Sequence, residues 1–310
     1  MTRRKPLPEQ FRGRGFRVGD ARAVGVPSRR LDANDLDAPV RGARVPAGGR
    51  SVEALAAVLG DGQAFTGPTA AQIWGMPLPR RWQRDSRMWV STLSRDRAMR
   101  RPGVVGSRRS SGAALIRGGL PVLDPARTWA SLGALLAVHD LVAVADRIVT
   151  ERRGHPALAS LDELVDVARR QRRGSRALRQ ALCEVRPGAW SRPESLLRLA
   201  VLRCGLPEPR LNEAVDVGSG RTAAPDLSWP AQKVCAEYDG AWHDDPAQRA
   251  ADLERHELLA DAGWLITHIR ARDLFPHAMP AVARILRRLT ERGYRHPAPI
   301  ESALLPSWNS

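Results

Sequence analysis

A chain of 310 residues, 43% hydrophobic and 26% charged, has room for two or three domains with real cores, which excludes a disordered polymer. Its formal net charge of +16 is carried almost wholly by arginine, since lysine stands only at positions 5 and 233. That surplus makes a polyanion, DNA above all, the expected partner, because basic contacts to phosphate release condensed counterions. The three cysteines, Cys183, Cys204 and Cys235, form no C-x-x-C pair. A disulfide framework and a metal–thiolate site are therefore not expected, and a reduced cytoplasm fits. No apolar run approaches the roughly 20 residues that span a bilayer, and the basic start MTRRKPLPEQFRGRG has no apolar core behind it, so neither a membrane protein nor a secretory signal is expected. The oligomeric state stays open.

Residues 1–15, rich in Arg, Pro and Gly, read as a disordered basic tail. Residues 16–60 give a helix near Gly19–Val24, a turn at Gly25-Val26-Pro27, a second helix opened by Ser28, and an extended VRGARVP. That is the outline of a small winged helix, with Arg29 and Arg30 placed to contact phosphate. A helical pair that merely packs on its neighbour is the alternative. An amphipathic helix over Ser51–Leu59 stops at Gly60. Residues 61–174 read as an α/β accessory domain: a helix over Thr69–Trp74, strands near Met88–Leu93 and Gly103–Arg108, and a helical region from Pro125 to Arg152. The basic run at 169–174 reads as a solvated linker, and His139, among apolar neighbours, as a packed histidine.

Residues 175–295 form the last expected domain, followed by a tail over 296–310. Ser191 and Glu194 have the spacing of a capping box at the start of the helix ESLLRLAVLRCG, although Glu194 is equally a candidate site residue. A strand over 211–217 follows, and then the stretch PDLSWPAQKVCAEYDGAWH, residues 225–243. With a four-residue turn at Pro230–Lys233, the antiparallel register sets Trp229 against Val234 and Asp226 against Glu237, Cβ atoms about 4.5–5.5 Å apart. Period two puts Glu237 and Asp239 on one face and Val234 and Ala236 on the other. Like charges that close repel unless a cation lies between them, and hard oxygen ligands on adjacent strands suit Mg²⁺ or Mn²⁺. The competing reading is a set of solvated strand-end acids with an ordinary Asp239-Gly240 turn. Pro246 opens a helix that stops at Gly263, with Arg249, Asp252 and His256 on one side and Arg255 nearby. The strand WLITHIR and the helix AVARILRRLTERG complete an α/β (α+β) chain whose C-terminal part is a mixed sheet flanked by helices.

The pieces PVRGARVP, TAAQIWGMPLP and LPVLDPARTWASL make the N-terminal half resemble the antitoxins of AbiEi-type abortive-infection systems. In that family an N-terminal winged helix binds DNA, which implies DNA and a protein of a defence or toxin–antitoxin system as partners. Glu194, Pro225-Asp226, the run from Glu237 to His243, Arg249, Asp252, Arg255 and Gly263-Trp264 make residues 185–290 resemble the PD-(D/E)XK nucleases of restriction-endonuclease-like fold, and among them the Vsr-like (very short patch repair) endonucleases. The resemblance implies a Mg²⁺-dependent DNA endonuclease in which Asp226, Glu237 and Asp239 hold the metal, His243 assists proton transfer and Glu194 is the helix glutamate. It implies that Arg249 and Arg255 hold phosphate or lock the site. Asp239 stands where the family pattern places lysine, and Lys233 is four residues away along the strand. The second expectation is therefore a DNA-binding regulator whose nuclease-like domain no longer cuts.

Overall fold

The computed structural model describes residues 6–109, 113–152, 154–239, 246–298, 300, 305 and 307–308, with the backbone alone over 246–250. It is a mixed α/β structure in two compact units, one made of Met1–Trp74 with Asp85–Asp124, the other of Gly75–Arg84 with Pro125–Ser310. Among the described residues no helix is long and apolar enough to cross a membrane.

In the first unit, β1 (Phe16–Arg17), α1 (Val18–Ala23), α2 (Ser28–Leu31), β2 (Leu36–Asp37), β3 (Ala43–Pro46) and α3 (Ser51–Ala56) follow one another closely. The three strands form an antiparallel sheet in the order β1-β3-β2, so the helix pair and extended segment expected over 16–60 are present. Phe11, Phe16, Ala21, Val26 and Leu31 make its small core. Next come β4 (Gln63–Phe65), α4 (Gly67–Trp74), β5 (Met88–Thr92), β6 (Val104–Arg108), β7 (Ala114–Arg117) and β8 (Leu120–Leu123). They build a five-stranded mixed sheet in the order β6-β5-β4-β8-β7, in which only β5 and β6 were expected. Strands β4, β7 and β8 have three or four residues each, too short to show a period-two pattern.

The second unit begins with α5 (Arg80–Gln83) and continues as a helical layer: α6 (Pro125–Leu132), α7 (Val138–Val149), α8 (Leu161–Arg170), α9 (Ser175–Glu184) and α10 (Arg192–Arg203). No gap in packing falls at residue 174. Asp146 of α7 accepts hydrogen bonds from Ser195 Oγ (2.8 Å), Arg198 Nη2 (2.9 Å) and the Arg186 amide (2.8 Å), and Asp140 pairs with Arg192 at 2.7 Å. Both ion pairs are almost wholly buried, so they fix how α10 lies on α7.

After α10 come β9 (Arg210–Leu211), β10 (Val215–Gly218), β11 (Arg221–Ala223), β12 (Leu227–Trp229), β13 (Val234–Asp239), α11 (Pro246–Asp261), β14 (Leu265–Arg270), α12 (Ala271–Leu274) and α13 (Met279–Glu291). The single strand expected over 211–217 is instead two strands in two sheets. Asn212, at φ 50°, turns the chain out of line: β9 joins the four-stranded sheet β14-β13-β12-β9, while β10 pairs with β11. Strand β13 runs parallel to β14 and antiparallel to β12. Val234, Ala236 and Ile269 face a core built with α10 and α13, and Cys235 faces the opposite core with Val215, Leu259 and Trp264. Gly263, at φ 78°, ends α11, where the Trp264 amide reaches back to Leu259 O and the Gly263 amide to Ala260 O, a glycine-dependent helix stop.

Candidate functional site

The hairpin β12–β13 places the acids. Pro230–Gln232 makes one 3-10 turn and Lys233, at φ 48°, completes the reversal. Trp229 then pairs with Val234, Ser228 with Cys235 and Leu227 with Ala236. Carried one residue on, that register sets Asp226 against Glu237 on the face that carries Cys235, as the sequence spacing required. Glu237 is buried and Asp226 and Asp239 are half-buried. The Tyr238 amide donates to Asp226 Oδ2 at 2.8 Å, and Arg255 of α11 donates to Glu237 Oε2 at 3.3 Å while pairing with Asp252 at 3.0 Å. Glu237 Oε1 is buried, with no hydrogen-bond partner among the described residues.

Electrostatics records the crowding. Burial, then the charges of Glu194 and Glu237, push the Asp226 carboxyl well above the usual carboxylate range, against the opposing pull of the Tyr238 amide and Arg255. Burial also raises Glu237, with Arg255 opposing. The Cys235 thiol, next along the same strand face, is driven up to about 12, by burial first and then by Glu237. It is a packed thiol with no nucleophilic character at neutral pH.

Glu194 sits at the start of α10, where its amide donates a 3.4 Å bond to Ser191 Oγ. The reciprocal bond of a capping box is not made. Glu194 Oε2 instead accepts from the Trp190 amide (2.9 Å) and Asn212 Nδ2 (2.7 Å), tying the helix start to the turn after β9. Its charge still reaches Asp226. Asp239 is drawn the other way, to His268 Nδ1 at 3.2 Å and Arg270 Nε at 3.9 Å on the parallel strand β14. Among the described residues, no group of three or more Asp, Glu, His or Cys side chains converges to hold a metal ion. The convergent acids are the pair Asp226–Glu237, with Glu194 beyond it.

His243 lies outside the described residues, and Arg249 is described only by its place on α11. Lys233 is committed elsewhere: its Nζ donates to Ala262 O at the end of α11. In the first unit Arg29 is exposed, whereas Arg30 is held in a two-pronged pair with Asp35 at 3.0 and 2.8 Å. The second guanidinium is thus already occupied by a carboxylate.

Sequence reading missed His268. Parallel pairing sets it beside Glu237, and its ring stands 4.8 Å from that of His256, edge to face. The spacing within WLITHIR marks His268 as sharing a face with Ile266 and Arg270. Only the register between β13 and β14 brings that face to the acids. Burial, then His268, lowers the pKa of His256, whose Nε2 is buried with no partner among the described residues.

Two curated relatives are similar to this chain, both uncharacterized proteins of Mycobacterium tuberculosis, from strains CDC 1551 / Oshkosh and ATCC 25618 / H37Rv. Each is 35% identical over 121 residues, which is 39% of this chain and 45% of the relative, so the match spans less than half of the relatives' own length. No family model matches the chain. No solved structure matches it either.

Proposed function

We propose that the second unit is a restriction-endonuclease-like domain that hydrolyses phosphodiester bonds in DNA with Mg²⁺ or Mn²⁺. The observation that carries this reading is the Asp226–Glu237 pair. Two acids on one sheet face, both with raised pKa and one with an orphaned buried oxygen, form a cradle that a small divalent cation would neutralise. Asp226 and Glu237 would hold the ion. A bound cation lowers the pKa of a coordinated water and polarises a phosphoryl oxygen.

The remaining roles belong to the chain itself. Arg255 holds Glu237 through Oε2, and Oε1 would be left to bind the ion. Asp239, which stands where the family pattern has lysine, orients the His268 ring through Nδ1, which leaves Nε2 as the ring atom that would move a proton. Arginine rather than lysine then offsets the charge that develops on the phosphate. The surplus of arginine supports DNA as substrate, and the PD-(D/E)XK resemblance supports the reaction class. The regulator reading draws on one observation, that Asp239 is paired to His268 and Arg270 and so does not complete a triad of ligands.

Supercoiled plasmid separates the two. With Mg²⁺ or Mn²⁺ the wild-type chain is expected to convert it to nicked or linear form, and Asp226→Asn is expected to lower the rate by about 10³-fold or more, the scale on which losing a metal-assisted step acts. Undiminished cutting by Asp226→Asn removes the site assignment. A wild type that binds plasmid and leaves it intact with every divalent ion points to the regulator.

A further inference from the structure

The first unit carries positive charge that the site above does not use. Residues 93–109, the crossover from β5 to its parallel neighbour β6 together with β6 itself, contain six arginines and one carboxylate, Asp96. The crossover is tied to the sheet rather than loose. Arg97 O accepts from Thr92 Oγ1 at 3.4 Å, and the Val104 amide donates to Arg101 O at 3.1 Å. Arg101 Nη1 donates to Arg41 O at 2.8 Å. Gly106 lets the backbone of Met99 lie across β6, since a Cβ there would collide with the Met99 carbonyl oxygen.

Held this way, Arg95, Arg97, Arg100 and Arg108 are all exposed, and no ion pair among the described residues engages them. Other arginines of the first unit behave differently: Arg30 pairs with Asp35, Arg44 with Asp32 and Arg87 with Asp85. Asp96 is turned to Ser94 Oγ at 2.7 Å. Strand β6 is also the edge of its sheet, so among the described residues no strand pairs with one side of its backbone. No large hydrophobic residue in 85–109 is exposed. A protein-binding surface is built around desolvated aromatic or aliphatic anchors, whereas a nucleic-acid surface is polar and positive.

We propose that this edge, formed by Arg95, Arg97, Arg100 and Arg108 on the crossover and on β6, binds the phosphate backbone of duplex DNA without regard to sequence. The inference concerns binding and stands apart from hydrolysis by the second unit, so it is measured in EDTA, where no divalent-ion cutting occurs.

The test is fluorescence anisotropy of the full chain with a labelled DNA duplex of about 20 base pairs, over about 50–200 mM salt. The plot of log affinity against log salt is expected to be shallower by about 3–4 in slope for the quadruple Arg→Ala variant at 95, 97, 100 and 108, roughly 0.9 for each phosphate that is no longer neutralised. The matching quadruple Arg→Lys variant is expected to keep the wild-type slope, because lysine neutralises phosphate equally well and checks that the fold tolerates substitution. Removing the same charge from the second unit (Arg172, Arg173, Arg176 and Arg179 to Ala) is expected to leave the slope within about 1 of wild type. The proposal fails if the Arg→Ala edge variant keeps the wild-type slope, if the second-unit variant loses as much, or if polyglutamate displaces the duplex as readily as unlabelled DNA does.

Discussion

Asp226 and Glu237 face each other across the β12–β13 hairpin, and among the described residues the Arg255 guanidinium pairs with Oε2 of Glu237. Such a pair has a consequence for stability that is separate from catalysis. The folded-state pKa of Asp226 lies above its unfolded value, so the native state holds that proton more tightly. The contribution of Asp226 to stability is then fully present at low pH and is lost as pH rises from the ordinary carboxylate range through the raised one. Asn at this position cannot ionise and still accepts the Tyr238 amide through its carbonyl oxygen. In EDTA near pH 7, Asp226→Asn is therefore expected to melt about 2–4 °C above wild type, the shift that about 1 kcal/mol gives a unit of this size. Near pH 4 the difference should vanish. Differential scanning fluorimetry across that range reads it directly, and an Asn variant that melts lower at neutral pH would mean that the two acids do not repel.

At the scale of elements, much depends on the turn between β9 and β10. Asn212 adopts φ 50° and its Nδ2 donates to Gly188 O (2.9 Å) and to Glu194 Oε2 (2.7 Å), so one residue bends the strand and anchors the start of α10. Alanine there meets the backbone strain, about 1–3 kcal/mol, and deprives a buried carboxylate of a donor, about 1.5–3 kcal/mol. Asn212→Ala is expected to lower unfolding free energy by about 2.5–6 kcal/mol in urea titrations, and Asn212→Gly by less, since glycine relieves the first contribution alone. Equal losses in the two variants would assign the whole effect to the hydrogen bonds. This turn also shows what was legible. The hairpin carrying Asp226 and Glu237 could be read because its turn is local and period two sorts its faces. The break at Asn212 was missed, although Gly218-Ser219-Gly220, all at positive φ, stood in the sequence as the turn of a second hairpin. His268, Asp146 and Arg198 were illegible for another reason: each meets its partners through pairing between elements far apart in the chain, and no spacing records that.

The whole chain crosses between its two units at three places, after Trp74, after Arg84 and after Asp124. Gly75–Arg84 therefore belongs with the helices and the candidate site, although forty residues of the first unit separate it from them in sequence. Within the segment Met76 and Leu78 are buried, Gln83 Nε2 donates to Leu78 O at 2.6 Å, and Arg81 Nη2 reaches Leu135 O at 3.4 Å. Burying two such side chains is worth about 3–6 kcal/mol as an upper bound. That is comparable to the total of about 5–15 kcal/mol that keeps a domain folded. A fragment of residues 125–310 is thus expected to show weak near-ultraviolet circular dichroism and a broad melt. Residues 75–84 joined by a flexible Gly/Ser linker to 125–310 should restore a cooperative transition. If the shorter fragment melts as sharply and at the same temperature as the linked one, Gly75–Arg84 contributes nothing to that core. Nicking activity offers a second reading of the same pair: the linked chain should cut with Mn²⁺ and the shorter one should not, because Arg255, Glu237 and Asp226 need a folded sheet to meet.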